Sequence, residues 1–138
     1  MTSVPAQTIL HFSADTRYKL FVNGTRVAVG PTRGSPLIWY YDTFDIAPQL
    51  LNGHNEIEFV VIRYFASSRS AMPFERTSLP GLTVSGSLEV NNEIVDLSSS
   101  TGWQAQIDES IEFPTGLIDD VFLHVSSQYA PKIFRNKF

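Results

Sequence analysis

Trp39 to Asn55 reads WYYDTFDIAPQLLNGHN, and this stretch decides what kind of domain the chain forms. Its first half is extended and aromatic. The second half, from Asp45, has the marks of a single helical turn. Asp45 can accept a hydrogen bond from an exposed N–H at the start, and Pro48 is tolerated in a first turn. Gly53 suits the left-handed position that closes such a turn. Asn55 then leads into Glu56–Tyr64, where Ile57, Phe59 and Val61 alternate with Glu56, Glu58 and Val60. A period of two is the signature of a strand. At Val60–Ile62 the apolar character spreads to both faces, which predicts a central strand covered on both sides there.

Working outward, the rest of the chain is short strands punctuated by turns, with no long segment of helical period. Thr8–Phe12 is the first strand. Tyr18–Val22 and Thr25–Val29 flank Asn23-Gly24, the strongest short signal for a two-residue hairpin, because a type I′ turn requires positive φ at both positions. Such a turn pairs Val22 with Thr25, Leu20 with Val27 and Tyr18 with Val29. Those six residues would share the apolar face, leaving Lys19, Phe21, Arg26 and Ala28 on the other. Gly30 to Pro36 is a loop, and Ala66–Pro80 is the longest irregular stretch. Gly81–Val90 and Glu93–Leu97 form a second hairpin around Asn91-Asn92. Gly102–Ile107, the region of Glu112–Phe113, and Val121–Ser126 supply the last strands. Lys132–Phe138 reads as a basic tail, open to fraying. Short strands at this spacing, with Gly and Pro between them, predict a single all-β domain over residues 1–138, an antiparallel β-sandwich.

Bulk properties exclude several classes. The 138 residues, 43% of them hydrophobic, suffice for one ordinary core. Ten basic and fourteen acidic side chains give a net charge of −4, which argues against a nucleic-acid partner. No apolar run approaches the roughly 20 residues that span a bilayer, so no membrane partner is expected. Met1 to Gln7 has neither the basic start nor the apolar core of a signal peptide, and the compartment stays open. Without cysteine there are no disulfides, thiol nucleophiles or thiolate metal sites. One glycosylation sequon, Asn23-Gly24-Thr25, would matter in a secreted protein.

At this point the residues resemble a known family. Ala14–Gly24 (ADTRYKLFVNG), Gly30-Pro31, Tyr40–Ile46 (YYDTFDI) and Leu50–Asn55 (LLNGHN) are similar to the N-terminal β-sandwich domain of bacterial and fungal α-L-rhamnosidases. A looser version occurs in the sugar-binding jelly-roll domains of β-galactosidases and β-glucuronidases. Gly81–Val90 followed by Gly102–Ala105 resembles the rhamnosidase segment that ends in a threonine–aspartate–x–x–tryptophan turn. The aspartate of that turn is missing, since Ser98-Ser-Ser-Thr-Gly-Trp103 stands in its place. The resemblance spans about Thr8 to Ile107. It implies a galactose-binding-like jelly roll, a fragment or relative of a larger glycoside hydrolase. It also implies that the catalytic acid and base lie on a separate helical barrel domain to which nothing here corresponds.

Sugars are held by aromatic faces against their C–H surfaces and by polar groups on their hydroxyls. The candidate ligand contacts are therefore Trp39 and Tyr41, Arg33 in the preceding loop, and Arg63-Tyr64 at the end of the central strand. Tyr40 falls on the opposite face from Trp39 and Tyr41, and at least one of these faces is expected to be core, with most of the three aromatics used in packing. Trp103 is also expected in the core. His11, His54 and His124 lack metal-ligand spacing, no cofactor motif is present, and Glu56 and Glu58 lie on a predicted solvent face rather than across a cleft. The chain by itself is expected to be inactive. Its partner would be a rhamnose- or galactose-containing glycan, or the catalytic domain of a parent enzyme. A free-standing lectin-like module and a purely structural interaction domain are the alternatives.

Overall fold

Alternating apolar side chains need a second layer to bury them, and here two antiparallel sheets face one another. The structure, a computed structural model, describes residues 3–15, 17–31, 40–62, 81–109 and 132–137. Among these, β1 (Ile9–Ala14), β4 (Asp42–Asp45), β6 (Leu82–Val90) and β7 (Glu93–Asp96) form a four-stranded sheet in the order β4-β1-β6-β7. The other sheet runs β3 (Thr25–Gly30), β2 (Arg17–Val22), β5 (Glu56–Ile62), β9 (Lys132–Lys137), β8 (Gln104–Ile107). The all-β sandwich expected from the strand spacing is what forms. The expected strands around Glu112–Phe113 and Val121–Ser126 lie outside the described residues, as does the Ala66–Pro80 stretch.

Both sheets contribute their buried rows to one core. Leu10 and Phe12 of β1 and Val84 and Leu88 of β6 meet Tyr18, Leu20, Val22, Ile57, Phe59 and Val61 from the other sheet. Phe12 is the aromatic bridge: its ring centroid lies 5.1 Å from Tyr18 and 4.9 Å from Phe59, both edge-to-face. That geometry sets the positive rim of one ring against the negative face of another. Trp103 extends the cluster from Phe59 at 5.7 Å and donates its indole N–H to the Leu97 carbonyl, as expected of a packing residue.

Asn23 and Gly24 have φ of 49° and 76°, the positive pair a type I′ turn demands. The predicted register holds at Val22–Thr25 and Phe21–Arg26, next to the turn. Leu20 then faces Ala28, Lys19 faces Val29 and Tyr18 faces Gly30, because a bulge inserts Val27. A one-residue slip reverses the faces beyond it. Ala28 is buried rather than exposed, and Val29 is 64% exposed rather than core. The second hairpin also turns as read, with positive φ at Asn91 and Asn92. The following Ser98–Trp103 turn does have an aspartate, supplied from upstream. Asp96 accepts the Ser98 N–H and the Thr101 hydroxyl.

The helical turn after β4 is shorter than expected, a 3₁₀ segment Ala47–Gln49 with Pro48 inside it. Asp45 serves it from outside: its Oδ1 accepts the N–H of Ala47 and also that of Thr8. Gly53 has φ of 94° but sits in the bend after the turn, beyond Leu50. Asn55, fully buried, closes this loop. Its Oδ1 accepts from the Leu51 N–H at 2.8 Å and from Asn23 Nδ2 at 2.9 Å, while its own Nδ2 donates to the Leu51 and Gly53 carbonyls. Asn23 completes the clamp: its backbone N–H donates to the Glu56 carbonyl, its Oδ1 accepts the Glu56 N–H, and its Nδ2 donates to the Gln49 carbonyl. A glycan on Asn23 Nδ2 would break at least one of these bonds, so the sequon is built into the fold.

The basic C-terminal segment is not a frayed tail. It is β9, an interior strand, with Phe134 against β5 and Asn136 buried. Arg135 pairs with Glu58 and Lys137 with Glu56 at 2.8 Å. The charges that look like a solvated tail are the complement of the two glutamates of β5. Val60 and Ile62, expected to be covered on both faces of that strand, are half-buried.

Asn55→Ala orphans the Leu51 N–H, the Leu51 carbonyl and one Asn23 bond. We expect a loss of about 2–4 kcal/mol, read from the midpoint of urea unfolding. The Glu56 carboxyl is held below its ordinary value of 4.5, first by its hydrogen bond with Lys137. A depressed carboxylate stabilises the fold above its unfolded pKa and loses that contribution as pH falls through its folded pKa. Because both side chains are solvated, the effect is screened to about 0.5 kcal/mol. Lys137→Ala should therefore destabilise at pH 7 and make no difference at pH 2, which paired urea titrations would show.

Candidate functional site

Strand pairing of β4 begins with Asp42 opposite Phe12, which fixes the direction of every side chain around it. Asp42 turns inward and receives the hydrogen bond of the buried Tyr18 hydroxyl. Burial, followed by this carboxylate partner, pushes the Tyr18 phenol far above its ordinary value of 10.0, so it remains protonated and donates. Gly30 gives the pair its room. A Cβ there would lie 2.5 Å from Asp42 Oδ2 and 2.6 Å from the Tyr18 oxygen. The Tyr18–Asp42 pair went unread in the sequence because its members are 24 positions apart; the only trace is a tyrosine in an otherwise aliphatic row.

On the opposite, solvent side stand Tyr41 and Thr43. Tyr41 is 66% exposed, and its ring meets the His11 ring edge-to-face at 5.6 Å. His11 Nδ1 lies 2.9 Å from the Thr43 hydroxyl. Register places Thr43, His11 and Ser85 side by side across β4, β1 and β6. All three are exposed. The result is an aromatic ring propped by an imidazole at the margin of a row of hydroxyls. Such a surface can stack on a sugar's C–H face and exchange hydrogen bonds with its hydroxyls.

Of the five predicted contacts, Tyr41 is described and is exposed. Trp39, Arg33, Arg63 and Tyr64 lie outside the described residues. The packing role expected for the aromatics fails for Tyr40 and Tyr41. Tyr40 is 46% exposed and is held through its carbonyl by the Ser13 hydroxyl. Both precede the paired part of an edge strand, and Asp42 occupies the inward place. His11 lacks metal-ligand spacing and so carries no site signal of that kind; its place in the alternation, between the buried Leu10 and Phe12, is the signal that it faces out.

Glu56 and Glu58 are each tied to a cation of β9. No group of three or more His, Asp or Glu among the described residues could hold a metal ion, and no described helix is long and apolar enough to cross a membrane.

No family model and no curated protein matches the chain. Among solved structures it is similar to a GH78 family rhamnosidase of Bacillus sp. GL1, with 33% identity and a TM-score of 0.51 over 68% of this chain. The chain spans 9% of that protein's length.

Tyr18→Phe removes a bond to a charged acceptor and should cost about 1.5 kcal/mol at pH 7. A raised phenol pKa stabilises the fold below the unfolded value of 10.0, and that contribution is lost as pH rises above it. The stability gap between wild type and Tyr18→Phe should therefore narrow above pH 10, followed by urea unfolding at a series of alkaline pH values.

Proposed function

We propose that this chain is a non-catalytic β-sandwich domain, of the galactose-binding-like jelly-roll type, accessory to a rhamnosidase-type glycoside hydrolase. The observation that carries this reading is the similarity to the GH78 rhamnosidase over most of this chain and a small part of that one. A domain that is a minor part of such an enzyme can position glycan or pack against the catalytic unit without supplying acid or base. The pairing of Glu56 and Glu58 with β9 supports the same reading, because a carboxylate neutralised in a sheet is spent on structure.

In this reading a neutral sugar lies against Tyr41, with its hydroxyls over Thr43, His11 and Ser85. His11 holds the tyrosine ring upright, which lowers the ordering cost of binding. The surface is open and shallow, so affinity is weak and specificity comes from the hydroxyl row.

Isothermal titration with rhamnose, galactose and rhamnosylated flavonoids tests the binding role. Weak heat is expected with at least one of them, and Tyr41→Ala should reduce it fivefold or more with the melting curve unchanged. Absence of heat for all three sinks the binding role. The purified chain should release no p-nitrophenol from an aryl rhamnoside; release would overturn the non-catalytic reading.

A further inference from the structure

The outer face of the five-stranded sheet holds a shallow cavity of about 290 Å³ that the Tyr41 surface does not touch. Val29, Val60 and Ile62 form its apolar part, and Arg17 and Lys19 line it along β2. Strand register sets this arrangement. Lys19 lies between Val29 and Val60, and Arg17 lies beside Ile62. Two residues apart on one strand, the two cations are about 7 Å from each other at the backbone. The Val27 bulge is what brings Val29 here; uninterrupted pairing would have turned it into the core.

Charge on this face is unevenly satisfied. Glu58 is bound to Arg135 and Glu56 to Lys137, so the acids of β5 are engaged by β9. Lys19, which is exposed, has no carboxylate partner among the described residues. Beside it the Val29 side chain is 64% exposed. An ammonium next to an aliphatic floor matches a ligand with one anionic group on an apolar-faced ring. The volume is at the lower edge of the roughly 300–1,000 Å³ of small-molecule sites, which suits one ring rather than a chain of them.

We propose that this cavity is a subsite for a uronic acid residue. The C–H face of the sugar lies on Val29, Val60 and Ile62, and its carboxylate meets the Lys19 ammonium in a charge-assisted hydrogen bond, with Arg17 alongside. The assignment rests on the proposed glycan-binding role but uses a different face of the molecule. Because the ion pair is solvated, binding is weak and falls with salt.

Amide NMR titration of the whole chain tests this with four probes: methyl β-D-glucuronoside, its methyl ester, methyl α-L-rhamnoside and acetate. Glucuronoside should shift the amides of Arg17, Lys19, Val29, Val60 and Ile62, and esterification or Lys19→Gln should each weaken that binding at least fivefold. Tyr41→Ala should leave it unchanged. Lys19 is exposed, so the variant's remaining spectrum serves as the check on its fold. No shift at these amides, full binding by Lys19→Gln, or acetate binding as well as the glucuronoside would overturn the subsite. Rhamnoside shifts, or their absence, around His11 and Tyr41 report separately on the neutral-sugar reading. A dish that binds glucuronoside beside a silent Tyr41 surface would therefore uphold this proposal and reject that site.

Discussion

The hydrogen-bonded clamp between Asn23 and Asn55 is the constraint on which the surrounding structure depends. Asn55 is fully buried, and both its amide atoms are satisfied by the loop from Gln49 to Gly53 and by Asn23. Asn23 is at once the first residue of a type I′ turn and the partner of Glu56. One pair of side chains thereby ties the β2–β3 hairpin to the start of β5 and holds the 3₁₀ turn in place. A buried amide is costly unless every donor and acceptor is matched, so the clamp tolerates one arrangement of these three segments. Everything in the five-stranded sheet is built from the β2–β5 register that it helps to set.

From that register follow the two faces of the molecule. Inside, aromatic and aliphatic rows from both sheets meet at Phe12 and Phe59. Outside, the four-stranded sheet presents hydroxyls with a propped tyrosine, and the five-stranded sheet presents paired charges and a cationic dish. The difference between the outer faces has a physical source. β9 brings cations to the glutamates of β5, whereas β1 and β6 offer His11 and Ser85, groups that exchange hydrogen bonds without requiring a counter-ion.

Much of this was legible in the residues. Asn23-Gly24 and Asn91-Asn92 each declare a turn, since positive φ is a local steric matter, and the alternation of Ile57, Phe59 and Val61 declares an inward face. The hairpin register was half legible. Its turn end was right, but nothing in Thr25–Gly30 marks Val27 as the extra residue, so Ala28 and Val29 were assigned to each other's faces. Of the candidate site, Tyr41 was legible as an aromatic in an extended segment. Its exposure was not, because whether the inward position falls to Tyr40, Tyr41 or Asp42 depends on where β4 begins to pair with β1.

The sequence by itself determined the all-β class, both hairpin turns, the Asp45-served turn and the inward face of β5. These depend on φ sign, on period and on contacts between near neighbours. Tertiary structure decided the rest. It made a strand of the basic C-terminal segment, whose Arg135 finds Glu58 77 positions away. It also placed Asp42 beneath Tyr18, put His11 against Tyr41, and left Val29 beside Lys19 on the surface. Each of these is a pairing between distant segments, and a strand's own residues state that it will pair but not with what. The Trp39–Asn55 stretch shows the division: its turn was written locally, while the exposure of its tyrosines was set by a neighbouring strand.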